Sequence, residues 1–207
     1  MSTYFMLSKT DSPVTFVIMV IMLIFILAAL SNRKFLFKMM LHPYSVIRNK
    51  EYYSWLSSDL VHNDFLHLLL NEIFMYLVCS NLEYTLRCRS AGGSWQFLII
   101  YLGSNFAGVI TATILNRNDF NYSTAGSSGS IFGCMISFMI LKPHFTAFYL
   151  PFIGGVPNIY TAFIYGLIFI IYQRKSGNEL INHEIHFFGA CGGAAITFLL
   201  FYHPLFI

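Results

Sequence analysis

The chain has 207 residues, 12 Lys and Arg against 9 Asp and Glu, and a net charge of +3. Apolar residues make up 57 % and the mean hydropathy is +0.64, while charged residues reach 10 % where a soluble domain carries roughly 25 %. This excludes a disordered chain, a disulfide scaffold, a coiled coil and an ordinary soluble enzyme, and the small charge without a basic stripe gives no nucleic-acid partner.

What remains is an all-α, polytopic membrane protein with a lipid bilayer as its surroundings and little mass outside it. A span needs about 20 mainly apolar residues to cross ~30 Å of hydrocarbon. The first, residues 14–30, is opened by Pro13 and free of charge. It reads as a retained span rather than a signal peptide, because the run is long and lacks a small-residue exit. Residues 31–63 hold Arg33, Lys34, Lys38, Arg48 and Lys50 among many aromatics and read as a long interfacial loop, with Tyr52, Tyr53 and Trp55 suited to the headgroup belt. Further spans are expected at about 65–82, 95–115, 128–141, 158–172 and 183–202, giving a six-helix bundle in one domain over residues 1–207. Residues 116–124 and 173–182 read as polar loops, and 145–157, apolar but broken by Pro151, Gly154, Gly155 and Pro157, as an interfacial loop. With the N-terminus inside, the inner face would carry four Lys and Arg and the outer face eight. The positive-inside rule therefore favours the reverse orientation, unless the first loop lies in the interface, where long cations snorkel.

Polar side chains at membrane depth are costly and mark candidate sites. His67 and Asn71 stand four apart on one helix face, with His62 at the helix entrance. They suit interhelical hydrogen bonding as well as chemistry, and without a carboxylate or thiol they make a poor metal set. Gly126-Ser127-Ser128-Gly129 joins a polar loop to an apolar helix. A serine there is an ordinary N-cap, but free N–H groups and the dipole at such a terminus also stabilise an oxyanion. The third cluster is His183-Glu184-Ile185-His186, followed by Gly189 and Gly193. Its two histidines are three apart, not the four that the zinc-protease pattern needs, and no intramembrane aspartate pair is present, since Asp11, Asp59, Asp64 and Asp119 fall in or near loops. Gly129/Gly133 and Gly189/Gly193 are small-residue faces that let helices approach closely. Packed together they would bring Ser128 and His186 within hydrogen-bond reach, a nucleophile beside a general base. Cys79, Cys88, Cys134 and Cys191 show no C-x-x-C spacing.

The combination resembles the rhomboid family of intramembrane serine proteases: His62, His67 and Asn71 on the second span, Gly126-Ser127-Ser128-Gly129 at the fourth, His186-x-x-Gly189-x-x-x-Gly193 on the sixth, with Glu83 twelve residues after Asn71. The resemblance runs from about Glu51 to the C-terminus. It implies Ser128 as nucleophile, His186 as base without an acidic third member, and Asn71, His67 and the Ser128 N–H as oxyanion hole, with His62, Gly126 and Gly129 in support. It implies no metal or cofactor, single-span membrane proteins as substrates, and a place in a bacterial inner membrane. Three residues depart from the pattern: Ser54 replaces an arginine of the first loop, Cys79 replaces a glycine, and Glu72 needs a partner or water. A non-catalytic relative that binds membrane clients is the alternative, although such relatives lose the serine or histidine. A transporter fits less well, for want of an inverted repeat or buried ion pair.

Overall fold

The computed structural model describes residues 11–150, 152, 154–176 and 183–202. Helix α1 (Pro13–Ser31) starts with a proline in its first turn, where the missing N–H costs nothing. Asn32 ends it and begins α2 (Arg33–Met39), its side chain accepting from the N–H groups of Lys34 and Phe35 at 3.0 and 3.3 Å. Two more short helices follow, α3 (Pro43–Asn49) and α4 (Ser54–Leu60). The expected long loop is therefore largely helical. The bridge between Leu41 and Thr124, through bonds of 2.9 and 3.0 Å, ties it to the later polar loop.

Asp64 caps α5 (Phe65–Phe74) by accepting from the His67 N–H at 2.8 Å. One π-helical turn, Met75–Cys79, then leads into α6 (Ser80–Arg89), and the three pieces form one 25-residue span. The π-turn changes which residues share a face. At about 100° per residue, Glu83 would lie about 120° round the axis from Asn71; the residue that a π-turn inserts cuts this to about 20°. Both side chains are consequently buried. Glu83 accepts from the N–H groups of Val14 and Thr15 (3.1 and 2.8 Å) and from the hydroxyls of Thr15 (2.8 Å) and Ser94 (2.6 Å). The N-terminus of α1 is thereby fastened to the start of α7 (Gly93–Leu115). Cys79, the departure from glycine, is fully buried in the main core.

Helix α8 (Ser128–Leu141) leads into the segment expected as an interfacial loop. Residues 145–157 do not form a plain loop: β1 (Thr146–Leu150) and β2 (Gly154–Pro157) pair antiparallel, Leu150 opposite Gly154 and Thr146 opposite Pro157. A 3-10 turn, Asn158–Tyr160, leads into α9 (Thr161–Ser176), so the fifth helix starts and ends later than the expected 158–172. Gln173–Ser176 are helical rather than loop, and 177–182 lie outside the described residues. Helix α10 (His183–Tyr202) packs against α7 and α8.

Among the described residues, four helices are long and apolar enough to cross a membrane, Pro13–Ser31, Phe65–Arg89, Gly93–Leu115 and His183–Tyr202, and Ser128–Leu141 and Asn158–Ile168 are shorter apolar segments. The main core joins Ile18, Met22 and Ile26 of α1 to Leu82, Phe97, Met135 and Tyr165.

Candidate active site

The seam between α8 and α10 is made by absent side chains. A Cβ on Gly189 would lie 2.5 Å from the Gly129 carbonyl oxygen, and one on Gly193 would lie 2.2 Å from that of Gly133. Gly129 in turn is pressed by Ile185, whose Cγ2 would stand 2.7 Å from an added Cβ. Ser137 stitches the seam, donating to the carbonyls of Gly133 (2.8 Å) and Gly193 (3.1 Å). Backbones held this close leave the first residue of α8 and the first turn of α10 side by side. Ser128 Oγ lies 2.7 Å from His186 Nε2. Ser128 is 5 % exposed, and the imidazole lies against the Phe132 ring, centroids 4.9 Å apart.

The polar face of α5 meets the same loop. Gly126 has φ +116°, a conformation open to glycine. A Cβ there would sit 2.7 Å from His67 Nε2 and 3.7 Å from Asn71 Nδ2. The turn into Ser128 thus lies directly over the imidazole and carboxamide of the second span. Asn71 is fully buried; its Oδ1 accepts from Tyr165 Oη at 2.5 Å, and its Nδ2 has no hydrogen-bond partner among the described residues. His62 is fully buried outside the spans, its ring edge-on to His67 with centroids 4.9 Å apart. Burial, and secondarily His67, push its pKa well below the usual imidazole value, so it stays neutral. The structure therefore brings together Ser128, His186, His67, Asn71, Gly126 and Gly129, with His62 behind His67.

Several groups around this cluster escape a sequence reading. Asp59 lies on α4, 3 % exposed, and accepts from Tyr101 Oη at 2.6 Å and Ser130 Oγ at 2.5 Å. It ties the first-loop segment to α7 and to α8 two residues beyond Ser128. Burial raises its pKa to about 6 against the lowering effect of the Ser130 and Tyr101 hydrogen bonds. Trp55 Nε1 donates to Thr113 Oγ1 at 3.1 Å, and its carbonyl accepts from Asn105 Nδ2 at 2.7 Å. The Gly126 N–H donates to the Ser58 carbonyl at 2.8 Å. These bonds anchor the segment that lacks an arginine at Ser54, whose own hydroxyl donates to Glu51 O at 2.7 Å. Glu184 turns away from His186 and accepts from Asn116 Nδ2 (3.0 Å) and Tyr122 Oη (2.9 Å), holding the 116–124 loop to α10. Burial, then Glu184, raise the Tyr122 pKa, which keeps the phenol protonated as donor. Glu72 Oε1 is buried with no hydrogen-bond partner. Among the described residues no three His, Cys, Asp or Glu side chains gather as a metal-holding group.

A serine hydroxyl thus rests on an imidazole nitrogen, beside a buried amide, among apolar helices. The family model described as the Rhomboid domain matches residues 49–203. The "Putative rhomboid protease YdcA" of Bacillus subtilis (strain 168) is 31 % identical over 155 residues, covering 74 % of this chain and 69 % of that protein. "Rhomboid protease GluP" of the same organism is 31 % identical over 91 residues, 44 % of this chain and 16 % of that larger protein. This chain is an integral membrane protein that belongs to the rhomboid family of peptidases.

Proposed function

We propose that the protein is an intramembrane serine endopeptidase, in one domain over residues 1–207 with six spans, acting on single-span proteins of a bacterial inner membrane. The observation that carries this reading is the 2.7 Å contact between Ser128 Oγ and His186 Nε2. The contact distance suits proton transfer. Depth supports it as well. The 14 residues of α8 reach about 21 Å at 1.5 Å per residue. With the Lys142-Pro143 end at one boundary of a ~30 Å core, Ser128 lies roughly 9 Å below the other.

In this reading His186 is neutral, its proton on Nδ1. Nε2 takes the Ser128 hydroxyl proton as Oγ bonds to the scissile carbonyl carbon. The carbonyl oxygen becomes an oxyanion, for which Asn71 Nδ2, His67 and the Ser128 N–H are the donors. His186 returns the proton to the departing amine, the peptide bond breaks, and Ser128 is left as an ester. Water, deprotonated by the same nitrogen, hydrolyses that ester and restores the hydroxyl. The substrate helix must unwind locally first, because a hydrogen-bonded helix holds its carbonyls out of reach.

Purified protein incubated with a single-span model substrate tests this. Ser128→Ala and His186→Ala are each expected to reduce cleavage by more than roughly a thousandfold while remaining folded in detergent. A fluorophosphonate should label the native protein and not Ser128→Ala. Undiminished cleavage by Ser128→Ala would overturn the proposal.

A further inference from the structure

Asn71 carries a carboxamide, one end an acceptor and the other a donor. Buried among packed helices, it can serve a developing negative charge only if the NH₂ end faces that charge. Turned over, it would present a carbonyl oxygen to an oxyanion and repel it. Something must therefore choose the orientation, and the neighbours on α5 and α8 do not. The group that touches Oδ1 comes from α9, 94 residues further along the chain: Tyr165 Oη donates to it at 2.5 Å.

Tyr165 is well placed to act as a fixed donor. It is fully buried. Its ring is packed against Phe74 of α5 and Phe132 of α8, centroids 4.2 and 4.9 Å away. Phe132 also lies against the His186 imidazole at 4.9 Å. The ring is thus held by α5, which carries His67 and Asn71, and by α8, which carries Ser128, while its hydroxyl occupies the acceptor end of the amide. The donor end, Nδ2, is left without a partner and 3.7 Å from where a Cβ on Gly126 would stand.

We infer that Tyr165 is a positioning residue for Asn71: its hydroxyl fixes the carboxamide with Nδ2 turned toward the Gly126–Ser128 turn, where the oxyanion would form. The inference rests on the protease reading for its kinetic consequence. The orientation itself can be tested without it.

Tyr165→Phe removes the hydroxyl and keeps the ring between Phe74 and Phe132. With a single-span substrate, kcat should fall about tenfold, the worth of one buried hydrogen bond, while KM stays within about twofold and the unfolding temperature in detergent is kept. In an Asn71→Ala background the same change should cost less than about twofold, because the group it orients is gone. A merely structural tyrosine would lower both backgrounds alike. Unchanged kcat in Tyr165→Phe, or an equal loss in the Asn71→Ala background, would overturn the inference. The second measurement uses asparagine-¹⁵N-labelled protein in nanodiscs, with the Asn71 side-chain NH₂ signals assigned by their loss in Asn71→Ala. Those signals should shift in Tyr165→Phe, and signals that stay in place would also overturn the inference. If native protein cleaves no faster than Ser128→Ala, the protease reading fails, and the amide signals still decide whether Tyr165 holds Asn71.

Discussion

Gly126 has room for a hydrogen atom and nothing larger. Its φ of +116° already disfavours any L side chain, and a methyl group would stand 2.6 Å from His67 Cε1. Gly126→Ala should therefore displace either the turn into Ser128 or the His67 ring by a few tenths of an ångström or more. The expected loss in fluorophosphonate labelling rate is about a hundredfold, the scale of a misplacement near 1 Å, with the helical content by circular dichroism retained. The four residues Ser128, His186, His67 and Asn71 were readable from the sequence because their signatures are local: a four-residue spacing on one face, a serine between glycines at a helix start, and a histidine one turn before a glycine face. Asp59 and Tyr165 were not. Asp59 finds Ser130 across 71 residues and Tyr165 finds Asn71 across 94. Neither partner is implied by periodicity: a lone carboxyl in a loop reads as solvated, and a lone tyrosine within a span reads as core.

At the level of elements, the pairing of α8 with α10 was legible for the same local reason, since two glycine faces of equal spacing invite each other. The structure adds how little slack they have. Gly193→Ala would place a methyl carbon 2.2 Å from the Gly133 carbonyl oxygen, a backbone atom that cannot swing aside. The helices must separate, at a cost of about 1–3 kcal/mol, so the thermal unfolding temperature in detergent should drop. The same separation lengthens the Ser128–His186 contact, and fluorophosphonate labelling should slow with it. The hairpin was not legible. Residues 145–157 are apolar with scattered glycine and proline, a pattern equally suited to an irregular interfacial loop, and its strands are confirmed by their pairing rather than by alternation. The short helices α2, α3 and α4 were likewise hidden. Each is seven residues long, under two turns and shorter than the roughly 11-residue window in which a helical repeat can be recognised, and their order comes from anchors such as Asn105 to Trp55.

Across the whole molecule, those anchors make stability depend on pH in two opposing ways. Asp59 has a folded-state pKa of about 6 against 3.8 unperturbed. The folded protein therefore binds the extra proton, and this contribution is full below about pH 4 and lost as pH rises through about 6. His62 has a folded-state pKa lowered well below 6.5. Its contribution is present above pH 6.5 and lost as the medium is acidified, because the unfolded chain then takes up the proton. Asp59→Asn should remove the first trend and leave the second, so the native-minus-variant difference in unfolding temperature should fall between pH 4 and pH 6.5. A flat difference would mean that Asp59 does not titrate as a buried group.

The knot at Glu83 reaches further than its own helix. Glu83 lies inside the stretch of sequence shared with the family, residues 49–203, yet three of the four hydrogen bonds that satisfy it come from Val14 and Thr15, upstream of that stretch. Without the first helix, the Glu83 carboxyl group would keep the Ser94 hydroxyl and lose these three donors, a costly loss for a buried polar group. Residues 49–203 therefore do not satisfy Glu83 by themselves, and the first helix completes that part of the fold in cis, bringing two backbone N–H groups and a hydroxyl to one buried carboxyl group.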